Sequence, residues 1–496
     1  MKDGRNLTLV MDFYELTMSQ CYYKEHREEE AIFDLFYRKN PDDGGFCIAA
    51  GLEQAIEYIR DFHVSKGDIE YLRSLHLFEE DFLEYLSTVR FTGDLWAVPE
   101  GTPIFPNEPV LRVKAKLIEA QLVETALLLA INHQTLIATK ARRIVQAAEG
   151  RAVMEFGARR AHSFDAAIYG ARAAYIVGCA GTATTFAGEQ FQIPVLGTMA
   201  HSFVKSFDTE YEAFLNYAKT YPEHCTLLID TYSTLGSGIE NAIKVAKDYL
   251  EPNGYRLQGV RIDSGDMAYL SKRVRKKLDE ANMNDCKIVV SNSLDEYVIE
   301  SLIHQQGAKI DSFGVGENLI CSRTSPVFGG VYKMVAIKEG EEWVPKIKIS
   351  DNLEKVTNPG WKDLYRIYDR ESQKAVADLM CLHQETIDPN QDLTIYHPMS
   401  KWKYKVFPAG SYEFKDLLIK VFEDGKQIYT SPSITQIRAY CLDQQETLWD
   451  ELKRFAYPQE YYVDLSGSLF DLKQDLLEAH LKKRKARQAF LEASIE

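Results

Sequence analysis

Excess positive charge is missing from this chain. Among 496 residues, 58 Lys and Arg face 73 Asp and Glu, giving a formal net charge of −15. That balance argues against nucleic acid or an anionic membrane surface as the main partner. Anionic small molecules stay open, because local Arg groups and backbone donors offset a negative field. Patterned cysteine is missing too. The eight thiols (Cys21, Cys47, Cys179, Cys225, Cys286, Cys321, Cys381 and Cys441) are scattered without a CxxC pair. This excludes a disulfide framework and a zinc site, and predicts reduced thiols in a cytoplasmic enzyme. Cys179 and Cys321 read either as small packing groups or as redox-sensitive positions. No apolar run approaches about twenty residues and no signal-peptide pattern opens the chain, so neither a membrane span nor export is expected. No segment repeats at a fixed period, which excludes a solenoid.

What is present fits a globular enzyme, with 45% hydrophobic and 26% charged residues. The length implies two to four domains. Residues 1–130 mix a helical start, Phe13 to Tyr23, with strand-like runs such as Ala31 to Tyr37 and Pro- and Gly-rich extended segments around Gly101 to Val113. They read as an N-terminal α+β domain. From Glu119 to about Glu149 the pattern turns helical. Residues 336–496 return to alternating short strands, as in Trp343 to Ser350, and close on a charged helix from Asp471 to Ala493. That third block reads as a C-terminal α+β domain, and its Lys482 to Arg487 run as a solvated face.

The middle block, 131–335, has a different rhythm. Short apolar runs recur at Ala152–Phe156, Ile193–Leu196, Leu227–Asp230, Gln258–Asp263, Lys287–Ser291 and Ile310–Gly314, with a further one near Tyr175 to Gly178. Each is followed by small or polar residues and a helix-compatible stretch. Buried strands alternating with helices predict a parallel sheet, barrel or open, and the spacing suits a barrel of roughly seven or eight strands.

Polar residues gather at the C-terminal ends of these runs, where α/β enzymes keep their sites. Gly197-Thr-Met-Ala-His-Ser202 leaves one imidazole, His201, at a strand exit. A lone His there is either a packing residue or a nucleophile or base. Asp230 is a candidate to orient and charge-stabilise that imidazole, or else an N-cap. Arg159 and Arg160 offer forks for a carboxylate or phosphate, or are surface ion pairs. In Arg261-Ile-Asp-Ser-Gly-Asp266, Asp263 and Asp266 flank a glycine. They suit ribose hydroxyls or a Mg²⁺-bound phosphate, or an Asx turn capping the helix from Met267. Ser291 with Asn292, and Gly314-Val-Gly316, complete the rim, the glycines allowing backbone N–H groups close to a phosphate. Together these groups describe a site for a phosphorylated ribose and an anionic partner.

Asp12-Phe-Tyr-Glu-Leu-Thr17, Glu155-Phe-Gly-Ala-Arg-Arg160, Gly197-Thr-Met-Ala-His-Ser202, Asp263-Ser-Gly-Asp266, Phe313-Gly-Val-Gly316 and Gly329-Gly-Val-Tyr-Lys333 occur in this order. In that order they resemble the nicotinate phosphoribosyltransferase family. The resemblance implies an irregular (β/α) barrel of the type II phosphoribosyltransferase kind, flanked by N- and C-terminal domains. It implies ATP-coupled transfer of phosphoribosyl from phosphoribosyl pyrophosphate to nicotinate, through a phosphorylated His201 supported by Asp230. By the same resemblance Arg159 and Arg261 bind the pyridine and phosphoribosyl groups, and Thr198 lines the nicotinate pocket. Phe156, Ser202, Asp263, Ser291, Asn292, Gly314 and Gly316 contact substrate. Tyr14 borders the pyridine ring of the neighbouring subunit in a homodimer with shared active sites. Mg²⁺ accompanies the pyrophosphate, with Asp263 its candidate ligand.

The nicotinamide-using relatives place an Asp in the segment matching Gly181-Thr-Ala-Thr-Thr185, where this chain has Ala183. An Asp there would repel a carboxylate, so nicotinate is the expected base. Quinolinate phosphoribosyltransferases are shorter, an aldolase-type barrel needs a Schiff-base Lys at a strand end, and purine-type phosphoribosyltransferases use adjacent acids after a strand. A non-catalytic nucleotide sensor would keep Gly314 and Gly316 but not need His201.

Overall fold

The computed structural model describes residues 5–350, 355–383 and 385–493, and side chains as far as Arg484. Backbone contacts divide the chain into two compact units. One joins Met1–Thr135 to Val327–Glu496, and the other is Leu136–Pro326. The sequence suggested three consecutive blocks; in the structure the first and last fold together.

The first unit is built on two sheets. Its seven-stranded antiparallel sheet runs Glu342–Pro345, Val331–Glu339, Glu30–Phe36, Leu111–Lys116, Asp94–Ala97, Ile419–Glu423 and Lys426–Gln427. Three strands from the N-terminal segment thus lie together in this ladder, flanked on each side by two strands from the C-terminal segment. The Glu30–Phe36 strand is buried along nearly all its length because it is central. The second sheet has six strands, with Val463–Leu465 and Ala375–Leu382 at its centre and Lys362–Asp369 beside them. Two buried ion pairs anchor these sheets. Arg366 grips Asp378 through Nε at 2.8 Å and Nη2 at 2.6 Å, and Arg112 shares Asp34 with Lys362.

The helical start is Phe13–Glu25, opened by the Glu15 carboxylate accepting the Asp12 N–H at 3.3 Å. The long helical stretch breaks at Val123 into Leu117–Leu122 and Glu124–Ala147. By length and composition Leu117–Ala147 could cross a membrane, with mean hydropathy 1.2, contrary to the expectation of no such run. Its window is 67% buried inside the protein, as for a core helix. The closing helix is Gly467–Ala493, with Lys482, Lys483 and Arg484 exposed; the side chains of 485–487 lie outside the described residues.

The second unit carries the parallel sheet. Its strands lie in the order Gly181–Thr182, Ala152–Glu155, Ser312–Val315, Lys287–Ser291, Gly259–Ile262 and Thr226–Leu228. Val195 adds one isolated parallel bridge to Thr182. Followed in sequence, this is the circular order of a barrel. The barrel is nevertheless not closed: the ladder stays open between Val195 and Thr226–Leu228. Two expected strands account for the difference. Tyr175 lies in the helix Phe164–Ile176, whose Ala-rich sequence buries Ala167 to Ile176 almost continuously. Ile193–Leu196 contributes a bridge only, since Pro194 has no N–H to donate to a ladder. Gly181 allows that bridge, because a Cβ there would stand 2.3 Å from the Pro194 carbonyl oxygen.

Candidate active site

Each strand of the second unit delivers a functional group at its C-terminal end. Arg261 occupies the third position of Gly259–Ile262, and its guanidinium reaches over the sheet's end. Nε donates to Ser291 Oγ at 2.9 Å, Nη1 to Thr198 Oγ1 at 3.3 Å and Nη2 to Asp263 Oδ1 at 2.8 Å. Ser291 Oγ also donates to Asp263 in a short bond. Three strand exits are therefore locked around one cation, which becomes a fixed fork.

The Phe156 ring lies under this guanidinium, 5.5 Å from Arg261 Cζ. Space for the ring comes from Gly314, where a Cβ would meet Phe156 Cδ2 at 2.5 Å. Gly314 thus makes room for an aromatic ring, a role different from the phosphate approach expected of it. Gly316 stands before the short helix Glu317–Ile320, within reach of the Phe156 carbonyl. Beneath Phe156, the buried Glu155 carboxylate accepts Thr182 Oγ1 at 2.6 Å and the Gly157 N–H. Burial raises its pKa, and those two bonds pull the other way. Sequence reasoning noted Glu155 without giving it a role. It ties two strand ends together.

His201 is half-exposed and opens the five-residue helix His201–Lys205. Its Nδ1 lies 3.1 Å from Thr231 Oγ1, and its Nε2 lies 3.9 Å from Asp263 Oδ2. The expected pairing with Asp230 is replaced. Asp230 Oδ2 instead accepts the Asp263 N–H at 3.0 Å and Ser264 Oγ at 2.6 Å, shaping the turn that carries Asp263. The physical reason is position: Asp230 leads directly out of its strand toward the neighbouring strand's exit, while Thr231 is one residue further along, facing His201. His201 and Thr231 follow the two open edges of the sheet, so their contact brings those edges together at the rim. Thr231 as the His partner was missed. No spacing signal in the sequence marks it, because it acts across the open edge.

The remaining residues fall into two groups. Asp266 caps the helix Met267–Glu280 by accepting the Tyr269 N–H at 2.8 Å, so of the two flanking acids only Asp263 joins the cluster. Ser202 is exposed, one residue past His201. Asn292 and Ser293 leave the Lys287–Ser291 strand with φ of 91° and 53°. Two successive non-glycine residues in that region are costly, and such strain concentrates where a turn is functionally constrained. Arg159 and Arg160 lie exposed in the single turn Ala158–Arg160; Arg160 approaches Glu317 at 3.9 Å, while Arg159 forms no ion pair among the described residues. Arg159 is therefore the cation still available to an incoming anion. Ala183 is exposed beside Thr182, its N–H held by the Glu155 carbonyl at 2.9 Å. Cys179 is fully buried, and Cys321 donates to the Arg160 carbonyl at 3.0 Å with its thiol pKa raised by burial. Both behave as packing groups.

Tyr14 belongs to the first unit. It is exposed on the helix Phe13–Glu25, its phenol pushed up by burial and by Glu124, Glu15 and Asp12. A metal would find one fitting atom at the Asp230–Asp263 turn: Asp230 Oδ1 is buried and has no hydrogen-bond partner. No group of three or more His, Cys, Asp or Glu side chains is arranged to hold an ion among the described residues. Two carboxylates suit Mg²⁺ that takes its other ligands from phosphate and water.

Comparison with known proteins places this geometry. Residues 9–132 match the model of the nicotinate phosphoribosyltransferase (NAPRTase) N-terminal domain, and residues 361–473 that of the nicotinate phosphoribosyltransferase C-terminal domain. A crystal structure titled human nicotinic acid phosphoribosyltransferase superposes with a TM-score of 0.83 at 28% identity, over 94% of this chain and 99% of that one. A structure of nicotinate-nucleotide pyrophosphorylase from Pyrococcus furiosus shares the fold, with a TM-score of 0.65 at 23% identity over 89% of this chain and 95% of that one. Nicotinate phosphoribosyltransferase of Homo sapiens is 30% identical over 93% of this chain and 95% of its own length. That of Bacillus subtilis is 46% identical over 93% of both chains. With identity of that extent added to the two matched domains, this chain belongs to the nicotinate phosphoribosyltransferase family.

Proposed function

We propose that this protein transfers the phosphoribosyl group of phosphoribosyl pyrophosphate to nicotinate, forming nicotinate mononucleotide and pyrophosphate in NAD salvage, with ATP hydrolysis coupled to the transfer. The observation that carries the reading is the convergence of Phe156, Arg261, Asp263 and Ser291 beside His201, in a chain 46% identical to a named nicotinate phosphoribosyltransferase. The pyridine ring has a flat surface to pack on at Phe156, and its carboxylate a free cation at Arg159. The ring nitrogen carries its own lone pair, so it attacks the anomeric carbon without a general base. The C–O bond to pyrophosphate breaks as the C–N bond forms. Asp263 sits where the ribose would gain positive charge, and Arg261 holds it there. Thr198, Ser291, Asn292, Ser202, Gly314 and Gly316 line the same rim.

His201 Nε2 points away from its Thr231 contact, toward Asp263 at 3.9 Å, and takes a phosphoryl group from ATP, releasing ADP. Water then cleaves the P–N bond to give phosphate. Asp230 acts through the 263–264 turn. Mg²⁺, held by Asp263 and the unpartnered Asp230 Oδ1, would neutralise phosphate charge during the transfer. Ala183 leaves room and no opposing charge for the carboxylate, favouring nicotinate over nicotinamide. The enzyme works in the cytoplasm as a homodimer, each Tyr14 serving the neighbouring site.

Turnover of nicotinate, nicotinamide and quinolinate with phosphoribosyl pyrophosphate, with and without ATP, tests the reading alongside His201→Ala. Product from nicotinate, enhanced by ATP only in the parent, is expected. Preferential use of nicotinamide would overturn the role of Ala183, and no product from any base would overturn the reading itself.

A further inference from the structure

The first unit contains a cavity of about 610 Å³ that the transfer reaction does not use. Phe36, Phe105, Pro398 and Met399 supply apolar wall, and Lys473, Lys362, His397, Asn358 and Asp464 supply polar groups. Such a mixture of apolar wall and few polar groups is typical of small-molecule sites.

The charges around it do not balance. Lys362 is saturated, donating to the carbonyls of Asn358 at 2.9 Å and Gly360 at 2.8 Å and lying 2.9 Å from Asp34 Oδ2. Asp34 is already gripped by Arg112 Nε at 2.7 Å. Lys473 is different. It is only 2% exposed, and its ammonium donates to one oxygen, Asn358 Oδ1 at 2.8 Å, with the Met399 thioether next at 3.9 Å. An ammonium has three donors, and no carboxylate lies within ion-pair distance of this one among the described residues. Burial, and the nearby Lys362 charge, push its pKa down to about 8. The other carboxylates on the cavity wall are engaged or distant. Glu460 lies 3.6 Å from Lys403, and Asp464, raised to about 6 by burial, feels Lys403 and Lys405. His397 is held below its ordinary value by burial and by Lys403. Arg112 and Lys362 therefore share the Asp34 carboxylate, while Lys473 has none within ion-pair distance among the described residues.

We propose that this cavity is a binding site for a small oxyanion, a phosphate or carboxylate group carried by a ligand that fills the apolar wall, with Lys473 and Asn358 as its polar anchor. The anion supplies the acceptor that the Lys473 ammonium lacks. Asn358 then turns its amide donors to the same group, and Phe105 and Met399 cover the remainder.

The test is thermal unfolding of the full chain at constant ionic strength, titrated separately with inorganic phosphate and acetate against chloride, in the parent and Lys473→Met. The variant keeps the side chain's length and removes its charge. A rise in Tm of several degrees in the parent, absent from the variant, is expected for one anion. Phosphate alone acting identifies a phosphate-bearing ligand, and acetate acting identifies a carboxylate. No rise above chloride, or an equal rise in both proteins, overturns the proposal, since the anion then binds elsewhere. Should Lys473→Met not fold, crystals of the parent soaked in selenate decide. An anomalous peak within hydrogen-bond reach of Lys473 Nζ supports the site, and an empty cavity overturns it.

Discussion

At the scale of the residue, this site is made by what surrounds each group more than by the group alone. Gly314 is the clearest case. A methyl there would meet the Phe156 ring at 2.5 Å and Ser291 Cβ at 3.3 Å, so the ring must leave its place under Arg261. Gly314→Ala is expected to lower kcat/KM for nicotinate by about 10²-fold while circular dichroism stays unchanged, because a displacement of about 1 Å at a reacting centre costs that much. A smaller loss than about threefold would mean the ring does not position substrate. Ala183 gives the complementary prediction. Ala183→Asp puts a carboxylate beside Thr182, where it would face that of nicotinate. The ratio of nicotinate to nicotinamide kcat/KM should fall at least about tenfold, since like charges at close range cost over about 1 kcal/mol even in a solvated site. These residues were legible from their place at strand ends. Their partners were not. That Asp263 faces His201, while Asp230 holds the turn beneath it, depends on two strands meeting in space and leaves no periodic mark in the chain.

At the scale of the element, the parallel strands were legible where short runs rich in Val and Ile were followed by small or polar residues, as at Lys287–Ser291 and Gly259–Ile262. They were misread where helix and strand composition overlap, as at Tyr175, or where Pro194 interrupts donation. The helix Phe13–Glu25 was also legible, and its docking yields a pH dependence. Glu15 is fully buried against Thr125, and burial raises its pKa to about 7, with hydrogen bonds from Thr125 and Asp12 opposing and Glu124 adding to the rise. A carboxyl whose folded pKa is raised contributes its stability below its unfolded value, about 4.3, and loses it as pH rises through about 7. Glu15→Gln, which copies the neutral acid, should therefore gain in Tm relative to the parent as pH goes from about 5 to about 8. Calorimetry across that range checks it. A constant difference between the two proteins would mean Glu15 titrates normally.

At the scale of the whole molecule, the proposed homodimer makes a sharp prediction. Tyr14→Ala and His201→Ala place their lesions in different units of the chain. If each Tyr14 serves the partner's site, mixed dimers contain one site with both lesions and one with neither. Co-expression of the two variants should restore a sizeable part of parental ATP-dependent turnover, while each variant alone stays low. Activity no greater than the average of the two separate variants would sink the shared site.

The sequence by itself determined the parallel repeat of the middle segment, the acidic balance and the set of chemical groups at the strand ends. Those follow from apolar runs, charge counts and turn residues, all properties of neighbours along the chain. Tertiary structure alone decided that Val331–Glu339 returns to pair with Glu30–Phe36, so that the first and last thirds form one unit. It alone left the parallel ladder open beyond Val195 and gave His201 to Thr231 and Asp263. It also alone buried Lys473 with no counter-ion among the described residues. Each of these rests on groups far apart in sequence brought within a few ångströms, where geometry and desolvation, neither of them a local property, set the partner.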